Sequence, residues 1–229
     1  MPRELEVLQD AIEVAGRAAQ LIAEAARDAV HTRGRFTLAL SGGRTPSAML
    51  RALADEDLPW AGVRIVQVDE RVAPEGHPDR NLTALEENLL SRAPLAREQV
   101  FAMPVGEQDL AAAARDYART LVGLAGRPPR LDLVQLGLGN DGHTASLVPE
   151  DPALDVVDED VAVTAPYQGR VRMTLTYPVL NQARHVLWIV TGSEKAEMLR
   201  RLQAGDATIP AARVHPKSST LLADAASAR

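Results

Sequence analysis

Cysteine is absent from the 229 residues, which removes disulfides, thiolate zinc sites and cysteine nucleophiles from consideration. Aromatic residues are scarce, at 3%, so leucine, valine and alanine must fill whatever core the chain builds. No apolar run approaches the roughly 18 residues that a membrane-spanning helix needs. The charged stretch from Met1 to Asp10 has no signal-peptide core. A basic excess is missing too: the formal net charge is −6, opposite to the balance of a general nucleic-acid binder. These absences predict a cytoplasmic protein with neither nucleic-acid nor membrane partners. A few local arginine and lysine residues would still suffice to hold an anionic small molecule.

What is present is enough for a packed core, with 46% hydrophobic and 24% charged residues. Apolar positions at three- and four-residue spacing predict a long amphipathic helix from Glu4 to Val30. Short apolar runs predict strands at Phe36–Leu40, Val63–Val68, Val100–Met103, Leu131–Leu138, Val161–Ala165, Val171–Leu175 and Val186–Val190. Between them, helices are expected at Ser47–Ala54, Leu82–Leu90, Asp109–Leu124 and Glu194–Leu202. Strands alternating with helices predict an α/β fold, Rossmann-like, with a mostly parallel sheet covered by helices on both faces. With no repeat or long linker, residues 1–229 read as one domain.

The most informative stretch follows the Leu131 strand: Gly137-Leu138-Gly139-Asn140-Asp141-Gly142-His143-Thr144-Ala145-Ser146-Leu147. A buried strand delivers its chain to the carboxyl edge of the sheet, where α/β proteins place ligands. Asp141 and His143 there set a carboxylate beside the one side chain whose ordinary pKa, about 6.5, suits proton transfer near neutrality. The run also fits G-x-G-x-x-G formally, with Glu159 and Asp160 about twenty residues on. Pro149 and Pro152 nevertheless interrupt the segment where a phosphate-binding helix would have to run, so dinucleotide binding is not expected.

Three other constellations carry charge or backbone donors. Ser41-Gly42-Gly43-Arg44-Thr45-Pro46 follows the Phe36 strand, with Thr45 suited to the N-cap and Pro46 to the first helical position. Glycines before a helix let backbone N–H groups approach an anion, although an ordinary glycine turn would look the same. The turn lacks a P-loop lysine, which disfavours a nucleoside triphosphate. Asp69-Glu70-Arg71 ends the Val63 strand and reads either as a polar substrate contact or as a solvated ion-pair cluster. Asp69, Glu70, Glu75, His77 and Asp79 match no metal-ligand spacing, so no metal is expected. Arg170, Arg172 and Lys195 form the last group. Thr191-Gly192-Ser193-Glu194 looks like a capping box that would put Lys195 in a first helical turn, where a cation calls for an anion.

These blocks, with Arg172-Met173-Thr174-Leu175-Thr176 and Gly192-Ser193-Glu194-Lys195, occur in one order that resembles the 6-phosphogluconolactonase family, which shares its fold with glucosamine-6-phosphate deaminases. The resemblance runs from the first helix nearly to the end, with Val148 standing where the family commonly has Phe. It implies a Rossmann-like α/β fold, no metal or cofactor, and hydrolysis of 6-phosphogluconolactone in the pentose phosphate pathway. By resemblance His143 takes the proton from water, and Asp141 orients the imidazole or the substrate. Ser41, Gly42, Gly43, Asp69, Arg172 and Lys195 would bind the phosphorylated sugar lactone, the glycine turn and the cations holding its phosphate. Arg71 either binds phosphate or steadies the oxyanion. Arg44 sits where the family varies and is given no role. The competing readings are an amino-sugar-phosphate deaminase and a non-catalytic sugar-phosphate sensor. A monomer or weak homo-oligomer is expected.

Overall fold

The computed structural model describes residues 4–229, with only the backbone of Arg44; Met1–Arg3, part of the stretch read for a signal segment, lie outside it. Among the described residues no helix is long and apolar enough to cross a membrane.

The chain opens on a strand, β1 (Glu4–Leu8), and only then enters α1 (Ala11–Arg33). The expected helix from Glu4 is therefore corrected. Asp10 breaks the pattern because its carboxylate accepts the N–H groups of Ile12 and Glu13 at 2.8 and 2.9 Å, which fixes the helix start. Then come β2 (Phe36–Leu40), α2 (Arg44–Ala54), β3 (Val63–Gln67), β4 (Asp69–Arg71), α3 (Asn81–Leu85, continued as one π turn), β5 (Val100–Phe101) and α4 (Leu110–Ala125). The second half supplies β6 (Leu133–Leu136), β7 (Val161–Val163), β8 (Arg172–Leu175), α5 (Tyr177–Gln182), β9 (Val186–Val190), α6 (Ala196–Ala204) and β10 (Ser219–Asp224).

Seven strands form one parallel sheet in the order β1-β10-β9-β6-β2-β3-β5. The fold is α/β, with helices on both faces as expected. Alternation along the strands sets the two faces. Phe36, Leu38 and Leu40 of β2 pack with α1 and α2, as do Leu187 and Ile189 of β9. Ala39, Val186, Trp188 and Val190 face the other way, toward α4, α5 and α6. The two apolar layers thus share one sheet, as βαβ crossovers require. The Val161 and Val171 runs do not join it. They form β7 and β8, which pair antiparallel with each other and with β4 in a separate three-stranded sheet.

The order places a switch point between β2 and β6. From β2 the chain builds outward through β3 to β5, then returns to the other flank of β2 with β6. The loops leaving β2 and β6 diverge there, opening a crevice at the carboxyl ends of the strands, where open α/β sheets bind ligands.

Candidate active site

A cleft of about 770 Å³ occupies that crevice, within the size range of small-molecule sites. His143, Asp141, Arg71, Ser41, Gly42, Gly43, Asp69, Arg172 and Lys195 all line it. Arg170 does not: its guanidinium pairs with Asp79 at 2.9 Å and stands beside His77.

The loop after β6 is folded tightly on itself. Gly139 donates its N–H to the carbonyl of His143 at 2.8 Å, and Gly142 turns at φ 82°. A Cβ on Gly139 would lie 2.1 Å from His143 Nδ1, so only glycine lets the imidazole lie across the turn. In this position His143 Nδ1 meets Asp141 Oδ1 at 2.5 Å. The other carboxylate oxygen, Oδ2, accepts the hydroxyl of Tyr167 at 2.8 Å. Burial opposes ionisation of Asp141, but the hydrogen bond and charge of His143, with the Tyr167 hydroxyl, outweigh it. The carboxyl is held well below the usual carboxylate range. With Nδ1–H given to that carboxylate, Nε2 is left as the proton acceptor. No long helix follows Gly142; the next helical turn is a 3₁₀ turn at Pro152–Asp155, which leaves the formal dinucleotide motif without its helix.

The β2 turn differs from expectation in its cap. Gly43, at φ 125°, is the N-cap of α2, and the helix begins at Arg44. The Thr45 hydroxyl instead meets that of Thr191 at 2.6 Å, joining the turns after β2 and β9. Gly42 runs so close to Asn81 that a Cβ would lie 1.8 Å from its Oδ1. The Ser41 hydroxyl and N–H are both given to Gln135 Oε1, at 2.8 and 3.2 Å, so Ser41 anchors the turn to β6.

Asp69 and Glu70 are both buried, which rules out the solvated ion-pair cluster. Asp69 faces the cleft and accepts the Ser146 hydroxyl at 2.6 Å and the Asn81 amide at 3.2 Å. Glu70 points inward. It accepts the backbone N–H groups of Arg71, Asn81 and Leu82 at 2.7–2.8 Å and so caps α3. Arg71 gives one guanidinium N–H to the carbonyl of Asp79 at 2.8 Å. Arg172 is 4% exposed, and its guanidinium sits 4.9 Å above the Tyr167 ring. Burial, then the nearby Arg71 cation, lower its pKa. Holding two guanidinium groups close in a cleft wall costs energy that an anion between them would recover.

The expected capping box around Lys195 is also corrected. Gly192, at φ 99°, starts a 3₁₀ turn at Ser193–Lys195, and Lys195 is the N-cap of α6. The Asp224 carboxylate accepts the Gly192 N–H and holds that turn against β10. Tyr167 has no motif around it in the sequence. It lies 26 residues from Asp141 in the β7–β8 connection, and only the tertiary pairing of the two loops shows what it touches. Among the described residues no three His, Asp or Glu side chains come together as a metal site.

The fold and the position of the cleft define a Rossmann-like α/β protein with a cleft at the sheet's switch point. Residues 9–223 match the family described as glucosamine-6-phosphate isomerases/6-phosphogluconolactonase, and the chain belongs to that family. It is 36% identical to the 6-phosphogluconolactonase of Nostoc sp., covering 99% of this chain and 97% of that protein. Identity to the 6-phosphogluconolactonase of Rattus norvegicus is also 36%, over 96% of this chain and 90% of the relative. The crystal structure of 6-phosphogluconolactonase from Thermotoga maritima superposes with a TM-score of 0.87 at 26% identity, over 97% of this chain and 99% of that one. A monomeric glucosamine-6-phosphate deaminase superposes at a TM-score of 0.86 with 20% identity, which is a likeness of fold.

Proposed function

We propose that this chain hydrolyses 6-phospho-D-glucono-1,5-lactone to 6-phosphogluconate in the oxidative pentose phosphate pathway. The observation that carries the mechanism is the 2.5 Å contact between His143 Nδ1 and Asp141 Oδ1 at the cleft wall. The carboxylate keeps Nε2 free to take a proton from water. That water attacks the lactone carbonyl, and the resulting tetrahedral oxyanion collapses with cleavage of the ring C–O bond. The proton then passes from Nε2 to the departing ring oxygen. General-base assistance of this kind contributes about 10²–10⁴-fold.

Arg172, Lys195 and the backbone of the Gly42–Gly43 turn hold the phosphate, at the far side of the sugar from the reacting carbonyl. Binding energy from that remote group positions the carbonyl against the water. Arg71 either shares the phosphate or steadies the oxyanion, and Asp69 and Ser41 shape the sugar-binding wall. No cofactor takes part in this scheme. The deaminase reading is supported by the shared fold and by a family description that names both activities, whereas the relatives with higher identity bear lactonase names. A sugar-phosphate sensor would have no use for an imidazole oriented by a carboxylate. We take residues 1–229 as one lactonase domain, working in the cytoplasm as a monomer or weak homo-oligomer. Acid release from freshly prepared lactone, measured against its spontaneous hydrolysis, tests the activity; a rate no higher than the spontaneous one contradicts it.

A further inference from the structure

We propose that Tyr167 is a positioning residue that ties one of the proposed phosphate-binding cations, Arg172, to the general base. It sits where the β7–β8 hairpin turns, exchanging backbone hydrogen bonds with Arg170 at 2.9 and 3.2 Å. Between them Gln168 and Gly169 have φ values of 50° and 77°. Two adjacent positive φ angles are what a tight two-residue hairpin turn demands. The hairpin therefore delivers Tyr167 to the cleft on a short stalk. Arg170, on the next residue of the turn, clamps that stalk through its ion pair with Asp79.

Three groups of the site converge on the phenol, whose hydroxyl also accepts the Gln168 amide at 3.3 Å. Its hydroxyl donates to Asp141 Oδ2 at 2.8 Å, which fixes the carboxylate's rotation so that Oδ1 points at His143 Nδ1. Its ring meets the imidazole edge-on, with centroids 5.7 Å apart. The Arg172 guanidinium lies over that same ring, and Arg172 is carried by β8 of the same hairpin. A cation above an aromatic face is attracted to it and loses freedom to swing. One side chain thus bears on both halves of the site. An anion drawn to Arg172 presses on the support that orients Asp141 and, through it, His143.

The inference rests on His143 being the base, and the test separates the two. In Tyr167→Phe the ring stays and the hydroxyl goes. Steady-state lactonase kinetics should show kcat falling about tenfold, the scale of one hydrogen bond to a charged group, with KM nearly unchanged. Because the hydroxyl acts through Asp141, the same change made in Asp141→Asn should cause no further loss in kcat. Tyr167→Leu, which also removes the platform under Arg172, should raise KM for the phosphorylated lactone in addition. Losses that add in the Asp141→Asn background, or a wild-type kcat in Tyr167→Phe while His143→Ala is inactive, would overturn the positioning role alone. Activity retained in His143→Ala would overturn the base and this role together.

Discussion

Gly139→Ala is the smallest change that should disable the site without touching a functional group. The added Cβ would stand 2.1 Å from His143 Nδ1, 2.4 Å from its Cε1 and 2.6 Å from Asp141 Oδ1. Contacts under 3.0 Å are essentially never observed for real Cβ atoms, so the imidazole must retreat by about 1 Å or swing out of the loop. Either movement breaks the 2.5 Å bond that orients it. A misplacement of about 1 Å costs on the order of 10²-fold in rate, or roughly 2.7 kcal/mol on the barrier. The fold should lose much less, because the methyl meets side-chain tips rather than backbone. A change of about 1 kcal/mol would lower Tm by only about 2–4 °C in a chain of this size. Acid release followed at saturating lactone, alongside a thermal melt of the same preparation, measures both quantities. A kcat within about threefold of wild type would contradict the assigned position of the imidazole, which cannot stay where it is beside that methyl.

Three further outcomes follow from the geometry. Lys195→Ala and Arg172→Ala should each weaken binding by roughly 1.5–3 kcal/mol, seen as a raised KM for the phosphorylated lactone. The same variants should behave like wild type on a lactone without phosphate, and equal losses on both substrates would remove the phosphate clamp. The Asp141 carboxyl titrates below its unfolded value, so its contribution to stability is complete above about pH 4 and fades as the pH falls further. The difference in Tm between wild type and Asp141→Asn should therefore narrow in acid, and a constant difference would contradict the assigned shift. Activity should survive excess EDTA, and calorimetry should find no micromolar binding of NAD or NADP, since the turn after β6 lacks the helix that would hold a pyrophosphate. Activity restored only by added zinc, or tight dinucleotide binding, would refute this.

Much of the fold was legible because buried parallel strands read as short apolar runs and helices as periodic ones. The failures were local ambiguities. Leu5, Val7 and Leu8 satisfy a helical stripe as well as an edge strand, and only the Asp10 cap, bonded to Ile12 and Glu13, separates them. Strand β10 gives little sequence signal because Ser219–Asp224 mixes polar ends with a short apolar centre, and its pairing with β1 and β9 is long-range. The three-stranded sheet was invisible for the same reason, since β4 meets β8 about a hundred residues later in the chain. Within the site, Asp141 and His143 were readable because two residues of spacing brings them together on one turn. Glu70 resembled its neighbours Asp69 and Arg71 in sequence, yet turns inward to cap α3. Tyr167 carried no signal at all, because its hydrogen bond to Asp141 exists only once the hairpin closes over the cleft.

In the proposed mechanism an imidazole oriented by Asp141 removes the proton from the attacking water. The most direct measurement is the rate of acid release from fresh 6-phosphogluconolactone by His143→Ala and His143→Gln, each confirmed folded by its melting transition. Both should lose on the order of 10²–10⁴-fold in kcat, with glutamine no better than alanine because an amide cannot accept the proton at neutral pH. Turnover close to wild type in either variant would contradict the mechanism.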